Sequence, residues 1–373
     1  MRLSRLLPLG LAACVSAQAI TEVLAANSAT LSTLTSLLQT VPEVAQALSA
    51  AQNVTILAPS NDAFARLMAR NPRSAELTRN PRLLAGVLQY HVLQGTFRAQ
   101  DFQIVPKFPA TLLSAPFANV TGGQRVGLVF VNNTVQVFSG YKQTAQVVTA
   151  DVPFNGGVVH IIDQVLTVPA NPAQTAINTG LTSLAGALTN AGLANGINDL
   201  TDVTIFAPTN DAFEAIGSAA GTLSQQQLAN ILAYHVLGQQ VRFSTDLIAA
   251  GNPATFATAQ GTNITLRREN GALFVNSARV LIQDIPTTNG VVHVIDNVLN
   301  PSNATAAPDT AASTQAPAFS GVTSVIDSPF TQGVVPTATF VPANIPLNAG
   351  VPSTIPRAVL LLAGCVAALM SVF

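Results

Sequence analysis

The chain has 373 residues, of which 49% are hydrophobic and only 9% are charged, and its formal net charge is −1. This length suggests about two domains, each large enough to bury a core of its own. The near-zero charge and the absence of Trp argue against a nucleic-acid-binding protein, which needs a basic face to neutralise phosphates. Two Cys are too few for a disulfide-rich scaffold or a Cys-based zinc site.

The N-terminus has the pattern of a secretory signal peptide. Arg2 and Arg5 precede a short apolar run over residues 6–15, and small residues follow it, which predicts cleavage after Ala17 or Ala19. The run is too short to span a bilayer. We assign residues 1–19 to a signal peptide; the alternative is a buried helix.

Three sequence blocks then occur twice in the same order. Residues 54–64 and 203–213 are identical at nine of eleven positions, the Tyr90-His91 pair returns as Tyr234-His235, and a Gly-Val-Val-His block at 157–166 returns at 290–299. These long offsets indicate duplication of a whole domain, since a solenoid repeats about every 20–50 residues. The predicted domains are residues 20–167 and 171–300.

Each copy begins with helical and strand patterns. Apolar residues at helical spacing predict helices over residues 31–38 and 181–188, and short apolar runs predict buried strands over residues 54–58 and 203–207. A hydroxyl residue follows each strand and is expected to cap a further helix, with an acidic residue in its first turn. The capping residues are Ser60 and Thr209, and the acidic residues are Asp62 and Asp211.

The second half of each copy is rich in strand patterns. A second helix is expected to end near each Tyr-His pair, and hairpins are expected after it. The hairpins pair residues 126–131 with 134–138 and residues 263–268 with 272–276, and each Gly-Val-Val-His block closes its domain as a strand. Each copy is therefore predicted to be an α+β unit with a β-sandwich-like core and helices in its first half.

The repeated blocks resemble those of the fasciclin-domain family. The resemblance rests on the strand followed by Ala-Pro-Ser/Thr-Asn-Asp-Ala-Phe, the Tyr-His pair and the Gly-Val-Val-His ending, and it covers both copies. It implies an α+β fold of two tandem fasciclin-type domains, each a wedge-shaped β-sandwich with helices in its first half. It also implies extracellular adhesion or matrix interaction, often in tandem domains on lipid-anchored proteins.

The resemblance also implies candidate interaction residues. In animal relatives the region of the Tyr-His pair is linked to integrin binding, and its counterparts in this sequence are Tyr90, His91, Tyr234 and His235. Integrins need not exist in the source organism, so that partner is not carried over.

The C-terminal part of the chain has a different composition. Residues 301–348 are rich in Ala, Thr, Ser and Pro, which predicts a disordered, glycosylated stalk. Small residues, a polar spacer and the short apolar run 358–373 then form the pattern of a glycolipid-anchor signal, so residues 349–373 are expected to be removed. Asn348 is the predicted attachment residue, with Ala343 and Ala349 as alternatives, and a short tail anchor is the other interpretation.

The Cys and His residues offer little catalytic chemistry. Cys14 and Cys365 lie in the two segments expected to be removed, so the mature protein is predicted to contain no Cys. All four His lie in apolar settings inside the repeated blocks, which favours structural roles. A metal or acid–base site would combine them with nearby carboxylates; the residues concerned are His91, His160, His235 and His293, with Asp62, Asp163, Asp211 and Asp296. No His-Glu-x-x-His run, Gly-x-Ser-x-Gly elbow or phosphate-binding loop supports a zinc, hydrolase or nucleotide site, so no cofactor is expected.

The sequence has two further features that are expected at the surface. Five sequons predict N-glycans in exposed turns, at Asn53, Asn119, Asn132, Asn263 and Asn303. Five Arg crowd residues 66–82, and Arg66, Arg70 and Arg73 are placed to share a helix face. This face is a candidate for docking anionic polysaccharide or lipid headgroups; the alternative is a solvated face without a ligand.

We therefore expect a secreted, non-enzymatic cell-surface protein that mediates adhesion or interaction with the cell wall or matrix. It would be held at the outer face of the plasma membrane, in the cell wall, or both. Its expected partners are cell-surface or matrix proteins or glycans, and the membrane through the lipid anchor, with no nucleic acid. The alternatives are a structural wall component without a discrete ligand and a secreted hydrolase with His and Asp as acid–base groups. The anchored, Cys-free, sequon-bearing design is typical of a fungus.

Overall fold

The computed structural model describes residues 18–70 and 75–343. The predicted signal peptide through Ala17, the predicted attachment residue Asn348, its alternative Ala349, and Arg73 lie outside the described residues. Within the described residues, no helix combines the length and apolar character needed to cross a membrane.

The first domain begins with helices and continues with strands, as predicted. Its helices are α1 (Ile20–Ala26), α2 (Ser28–Thr40), α3 (Pro42–Ala50), α4 (Asn61–Arg70), α5 (Ala75–Arg79) and α6 (Pro81–Tyr90). Its strands are β1 (Val54–Pro59), β2 (Val92–Gln94), β3 (Gly127–Val131), β4 (Thr134–Phe138), β5 (Thr144–Phe154) and β6 (Gly157–Ile162). They form a sheet in the order β2-β1-β6-β5-β4-β3.

The second domain repeats this order with one additional helix, α13 (Ser244–Ala249), and one additional strand at the sheet edge, β9 (Ala254–Ala257). Its helices are α7 (Pro172–Asn178), α8 (Thr182–Asn190), α9 (Ala194–Asp199), α10 (Asn210–Ala215), α11 (Gly217–Ala220), α12 (Gln225–Ala233) and α13 (Ser244–Ala249). Its strands are β7 (Val203–Pro208), β8 (Val236–Leu237), β9 (Ala254–Ala257), β10 (Asn263–Glu269), β11 (Ala272–Val275), β12 (Ala278–Thr287) and β13 (Gly290–Ile295). They form the order β8-β7-β13-β12-β11-β10-β9. The α+β prediction is confirmed in both copies.

One long strand joins two halves of the sheet in each domain. The early residues of β5 pair with β4 and its later residues pair with β6, across two shifts in register. In the second domain β12 links β11 to β13 in the same way. Register shifts bend a strand and let it serve both halves, which gives each domain its sandwich-like core.

The repeated blocks form the centre of each sheet. β1 runs parallel to β6, and β7 runs parallel to β13, so these strands are covered on both faces and their sequences are almost entirely apolar. A Cβ atom at Gly157 would lie 1.9 Å from the Val54 carbonyl oxygen, and one at Gly290 would lie 1.8 Å from that of Val203. The glycine that opens each Gly-Val-Val-His block is therefore needed for this close pairing.

The predicted caps and hairpins are confirmed. The Ser60 hydroxyl accepts a hydrogen bond from the Ala63 amide at 3.2 Å, and the Thr209 hydroxyl accepts one from the Ala212 amide at 3.1 Å. The β3–β4 turn has positive φ at Asn132 (51°) and at Asn133 (60°). Two adjacent left-handed residues are the requirement of a tight hairpin turn, which Asn tolerates better than most side chains.

The two domains are in direct contact. The Phe108 ring stacks on the Phe243 ring with centroids 4.2 Å apart, and the Thr121 hydroxyl donates to the Asp202 carboxylate at 2.5 Å. The Lys142 ammonium is buried and donates to the Gln283 carbonyl oxygen at 2.5 Å. Burial lowers the pKa of Lys142 to about 8. Aromatic, hydrogen-bonding and charged contacts thus tie the first domain to the second.

The prediction of a disordered stalk is wrong for the part of residues 301–348 that the structure describes. Residues 316–343, which we call the strap, run over the second domain and end against the first. The Phe330 ring meets the Phe213 ring edge-on at 5.9 Å, and the Phe340 ring stacks on the Tyr141 ring at 4.2 Å. The Ala343 amide, at one alternative attachment residue, donates to the Lys142 carbonyl oxygen at 3.1 Å.

The strap is ordered because its few apolar residues are spaced to reach the core. Phe319, Val322, Phe330 and Val334 all pack against the helical core of the second domain. Ser, Thr, Ala and Pro make up more than half of this segment, and that average composition conceals these anchors. Backbone and side-chain hydrogen bonds to the strap add to the anchoring, including one from the Asn297 amide group to the Ala316 carbonyl oxygen at 2.6 Å.

Candidate functional site

The Tyr-His pairs lie inside the domains, at the end of a helix in each copy. α6 ends at Tyr90 and α12 at Ala233, and each pair leads directly into a short strand, β2 or β8. All four side chains are between 0% and 3% exposed. Their burial excludes direct contact with a partner while the domain is folded, so the prediction that Tyr90, His91, Tyr234 and His235 form an interaction surface is wrong.

Both His rings of these pairs bond to the backbone through both nitrogens. Nδ1 of His91 lies 2.7 Å from the Val87 carbonyl oxygen, and Nε2 accepts a hydrogen bond from the Leu166 amide at 2.9 Å. His235 repeats this arrangement with Ile231 and Leu299, at 2.8 Å and 2.9 Å. A neutral ring protonated on Nδ1 satisfies both contacts. Each ring therefore ties the end of a helix to the segment that follows the closing strand.

Burial sets the protonation state of these rings. Desolvation lowers the pKa of His91 and of His235 to about 4, and the backbone hydrogen bond from each ring opposes this only in part. A ring that is neutral at physiological pH and bonded at both nitrogens has no free nitrogen to take up a proton or bind a metal ion.

The Tyr hydroxyls are also used inside the fold. The Tyr90 hydroxyl donates to the Arg125 carbonyl oxygen at 3.2 Å. The Tyr234 hydroxyl donates to the Asn263 carbonyl oxygen at 2.9 Å and accepts from the Asn276 amide group at 2.9 Å. Burial raises the pKa of both Tyr residues. Each hydroxyl fixes the helical layer to the hairpin region of its domain.

We expect Tyr234→Phe to destabilise the protein more than Tyr90→Phe. The first change removes two hydrogen bonds and leaves the buried Asn276 amide group without an acceptor, which costs about 2–3 kcal/mol. The second removes one longer bond and costs about 1 kcal/mol. Urea unfolding of the two variants beside the wild type measures both losses, and equal losses would contradict the assigned bonding.

The remaining two His residues are structural as well. The His160 ring lies 2.8 Å from the Phe97 carbonyl oxygen through Nε2, and the His293 ring lies 2.9 Å from that of Arg242. On their other side, Nδ1 accepts from the Asp151 amide or the Asp284 amide. Burial lowers the pKa of both rings.

The acidic residues considered with the His rings do not gather around them. Asp163 and Asp296 accept backbone hydrogen bonds from Gln146 and Arg279, each at 2.7 Å, and Asp62 and Asp211 are exposed in the first turns of α4 and α10. Across residues 18–70 and 75–343, no group of three or more His, Cys, Asp or Glu is arranged to hold a metal ion. The cleft of converging His and nucleophile that a hydrolase requires is therefore not formed by these residues.

The Arg face predicted on α4 is at the surface. Arg66 and Arg70 are exposed, one turn apart, as the helical spacing predicts. Arg66 donates to the Asp163 carbonyl oxygen at 2.9 Å and leaves 44% of its side chain exposed. Arg73, the third residue of the predicted Arg face, lies outside the described residues. Arg79 and Arg82, on α5 and α6, are exposed as well.

All five sequon asparagines are exposed, at positions 53, 119, 132, 263 and 303. Two of them have features that bear on glycosylation. Thr55 of the first sequon is fully buried and donates to the Gly95 carbonyl oxygen, so a glycan on Asn53 must be added before the domain folds. The amide group of Asn119 donates to the Leu200 carbonyl oxygen at 3.2 Å, which places that sequon at the contact between domains.

Sequence patterns give no prediction for the residues that seat the strap. A Cβ atom at Gly186 would lie 1.7 Å from the Phe330 carbonyl oxygen, and one at Gly217 would lie 2.1 Å from the Val325 side chain. A signal was present in the repeat, because Gly217 aligns with Met68 at the same offset that aligns Phe213 with Phe64. The two domains therefore differ at the face that the strap covers.

Comparison with known proteins identifies the fold family. A family model of the fasciclin domain matches residues 29–169 and 179–301. The chain belongs to the fasciclin-domain family. The resemblance stated from the repeated blocks is thereby confirmed, and both matched segments fall largely within the two fasciclin domains described above. Membership of this family supports a non-enzymatic extracellular protein.

Several fasciclin proteins are similar to this chain over most of its length. A fasciclin-like arabinogalactan protein of Arthroderma benhamiae is 34% identical over 84% of this chain and 74% of the relative. The fasciclin-like arabinogalactan protein elcF of Phaeosphaeria nodorum is 32% identical over 79% of this chain and 92% of the relative. Both sources are fungi, which supports the fungal origin expected from the sequence.

More distant fasciclin proteins share less with this chain. Human periostin is 27% identical over 70% of this chain and only 29% of its own length. The solved FAS1 domain pair from the insect cell adhesion molecule Fasciclin I is 20% identical and covers 72% of this chain and 96% of that structure, with a TM-score of 0.34.

Proposed function

We propose that this fasciclin protein is a secreted, non-enzymatic cell-surface protein that mediates adhesion or interaction with the cell wall or matrix. The burial of all four His rings, each bonded to the backbone, carries the proposal. The His–Asp acid–base catalysis considered from the sequence would require at least one of these rings to be free to exchange a proton with a substrate. An interaction protein requires only a stable body with an exposed, recognisable surface.

Several observations support an extracellular setting. The five exposed sequon asparagines offer sites for glycans, and relatives named as fasciclin-like arabinogalactan proteins span both domains. The sequence signals at the two ends would direct secretion and attach a glycolipid at Asn348, or at Ala343 or Ala349. Of these three positions, Ala343 is bonded to the Lys142 carbonyl oxygen at the end of the strap.

The proposal places the tether close to the domain junction. Ala343 is in contact with the first domain, and Asn348 follows only five residues later. A fully extended chain spans at most about 3.6 Å per residue, so attachment at Asn348 would hold the junction within about 20 Å of the attachment residue. The disordered stalk expected from composition would instead have held both domains well away from it.

Surface release of the protein tests this proposal. We expect an epitope-tagged full-length chain to be accessible on intact cells and to leave them on treatment with a phosphatidylinositol-specific phospholipase, or with glucanase if it is linked to the wall. Cells that lack the protein should attach less well to their substratum. Loss of wall integrity with normal attachment would favour a structural wall component, and an intracellular location would overturn the proposal.

A further inference from the structure

The helical face of the second domain is covered by the strap. The Val325 amide donates to the Glu214 carbonyl oxygen at 3.0 Å, and the Ser328 hydroxyl donates to the Glu214 carboxylate. Val325 fills the space above Gly217, and Phe330 packs over Gly186. This face thus shows what an extended peptide segment needs for docking on a fasciclin domain: a buried Phe below it, small residues around it and polar groups at its edge.

Among the residues that the structure describes, no segment covers the corresponding face of the first domain in this way. The alignment of the repeats places Phe64 at the position of Phe213 and Met68 at that of Gly217. Phe64 is buried, as its counterpart is, but Met68 is 51% exposed where Gly217 is buried under Val325. The neighbouring residues Ala65 and Ala69 on α4 are exposed too.

An apolar cleft adjoins this exposed face. It lies between α4, α5 and α6 and includes the side chains of Leu67, Met68, Leu77, Leu84 and Val87. Met68 at its edge and Leu83 on α6, 37% exposed, are large apolar side chains open to solvent. An apolar side chain of a docked segment would pack over the mouth of this cleft, as strap side chains pack against the core of the second domain.

The charge of the two faces differs. Exposed Arg residues stand on all three helices around the cleft, namely Arg66 and Arg70 on α4, Arg79 on α5 and Arg82 on α6. In the second domain the positions of Arg66 and Arg70 are taken by Ala215 and Ala219. The face that binds the strap is therefore small and uncharged at these positions. The open face is apolar at its centre, and its four exposed Arg outnumber the exposed Asp62 on α4 and Glu76 on α5.

We propose that the open face of the first domain, formed by Ala65, Arg66, Met68, Ala69 and Arg70, binds an extended acidic peptide segment of a partner protein. The segment would place an apolar side chain against Met68 and the adjoining cleft, and its carboxylates would pair with the Arg rim. Guanidinium groups bind carboxylates through paired hydrogen bonds, which suits this charge pattern. The inference rests on the proposed function, because it assigns a partner class to an interaction protein.

Fluorescence anisotropy with the full-length mature protein tests the inference. The probe is a fluorescein-labelled peptide with the strap sequence 321–334 flanked by short runs of Glu, and the control peptide has the same core flanked by Lys. We expect the Glu-flanked probe to bind and the Lys-flanked peptide not to bind. The Arg66→Glu/Arg70→Glu variant should bind about tenfold more weakly, since two favourable charge pairs become repulsive.

Matched variants separate this face from other surfaces. Arg98→Glu makes the same charge change at an exposed position outside α4 and should alter binding by less than about twofold. Arg70→Glu alone avoids the Arg66 contact to Asp163 and should still weaken binding if the fold is intact by circular dichroism. Met68→Glu should weaken it as well, because it places a carboxylate in the docking face.

Three results would overturn the inference. The first is equal binding by the Arg66→Glu/Arg70→Glu and Arg98→Glu variants. The second is equal binding of the probe by the Met68→Glu variant and the wild type, which would show that the probe binds the second domain by displacing the strap. The third is Arg-dependent binding to phosphatidylserine-containing vesicles with no binding of the peptide, which would make the face a lipid-binding surface. None of these results bears on the cell-surface location, so the proposed function would be judged separately.

Discussion

Acidification from pH 7 to pH 5 is expected to lower the free energy of unfolding by about 2–3 kcal/mol. Burial lowers the pKa of His91 and His235 to about 4, whereas the rings of the unfolded chain have the ordinary value of 6.5. The unfolded chain therefore binds these protons first. The stability contributed by each neutral ring is complete above pH 6.5 and is lost as the pH falls toward 4, at about 2 kcal/mol per ring by pH 5.

One carboxyl group acts in the opposite direction. Burial raises the pKa of Asp296 to about 6, so the folded protein takes up this proton before the unfolded chain does. Its protonated form adds stability as the pH falls below 6, by about 1.4 kcal/mol at pH 5. His160 and His293 have pKa values lowered by burial and act in the same direction as the other two rings. The rings therefore outweigh Asp296.

Urea unfolding of the full-length protein between pH 7 and pH 5 measures this loss. The proton NMR signals of the four rings give a second readout, because in the folded protein His91 and His235 should not titrate above about pH 5. A free energy of unfolding that is flat across this range, or rings that titrate near 6.5, would show that the His residues are accessible and would reopen the acid–base interpretation.

Gly186→Ala is expected to release the strap from the second domain. The added Cβ would lie 1.7 Å from the Phe330 carbonyl oxygen, a distance that small side-chain adjustments do not relieve. Ala is intrinsically favoured over Gly in a helix by about 1 kcal/mol, so a stabilising change is expected if the strap does not matter. We expect instead a net loss of about 2 kcal/mol, as Phe330 and its apolar neighbours leave the core.

Gly196→Ala is the matched control for this change. Gly196 lies in helix α9 of the same domain, and a Cβ there would meet no atom within 4 Å. The control should be neutral or slightly stabilising. Thermal unfolding and limited proteolysis compare the two variants, with new cleavage in residues 316–343 expected for Gly186→Ala alone. Identical behaviour of the two variants would contradict the docking of the strap.

Local patterns in the sequence are sufficient to predict the capped helices and the hairpins of each domain. Ser60 and Thr209 cap helices where hydroxyl residues follow a strand, and Asn132-Asn133 forms the hairpin turn that its neighbours predict. These features depend on residues only a few positions apart, which is the range over which helix caps and turn types are determined. The duplication adds a second, independent example of each.

The role of the Tyr-His pairs depends on contacts that local patterns do not contain. His91 bonds to Leu166, 75 residues further along the chain, and His235 bonds to Leu299, 64 residues further along. Two polar side chains in a short motif are equally compatible with a surface site and with a buried tie between distant segments. Only the folded arrangement shows that these pairs are buried.

The order of the strap could not be predicted from its amino-acid composition. Its composition is similar to that of an unfolded linker, because Ser, Thr, Ala and Pro together outnumber Val, Ile and Phe. Its order comes from a few anchors, such as Phe330 and Phe340, whose receptor sites lie on other parts of the chain. A composition average does not include those receptor sites. The need for glycine at positions 186 and 217 becomes evident only in the folded structure, where the strap lies over both residues.

The buried repeated blocks and the exposed surfaces of this protein therefore have different roles. The repeated blocks build the sheets and tie them to the helices, whereas the proposed recognition uses exposed surfaces such as the Arg-bearing face of α4. The contacts between the domains, and the strap that runs from the second domain to the first, join both domains at the end of the described chain. If the proposed anchor is attached at the end of the strap, these surfaces are held in a fixed relation to it.

Cell attachment by Tyr90→Phe and Tyr234→Phe variants, displayed at wild-type levels and assayed well below their unfolding temperatures, tests this separation most directly. Both hydroxyls are buried and bonded within the fold, so the variants should unfold more easily in urea but support attachment as well as the wild type. Reduced attachment by a variant that is fully folded at the assay temperature would contradict the account, because it would place the Tyr-His pairs in contact with the partner.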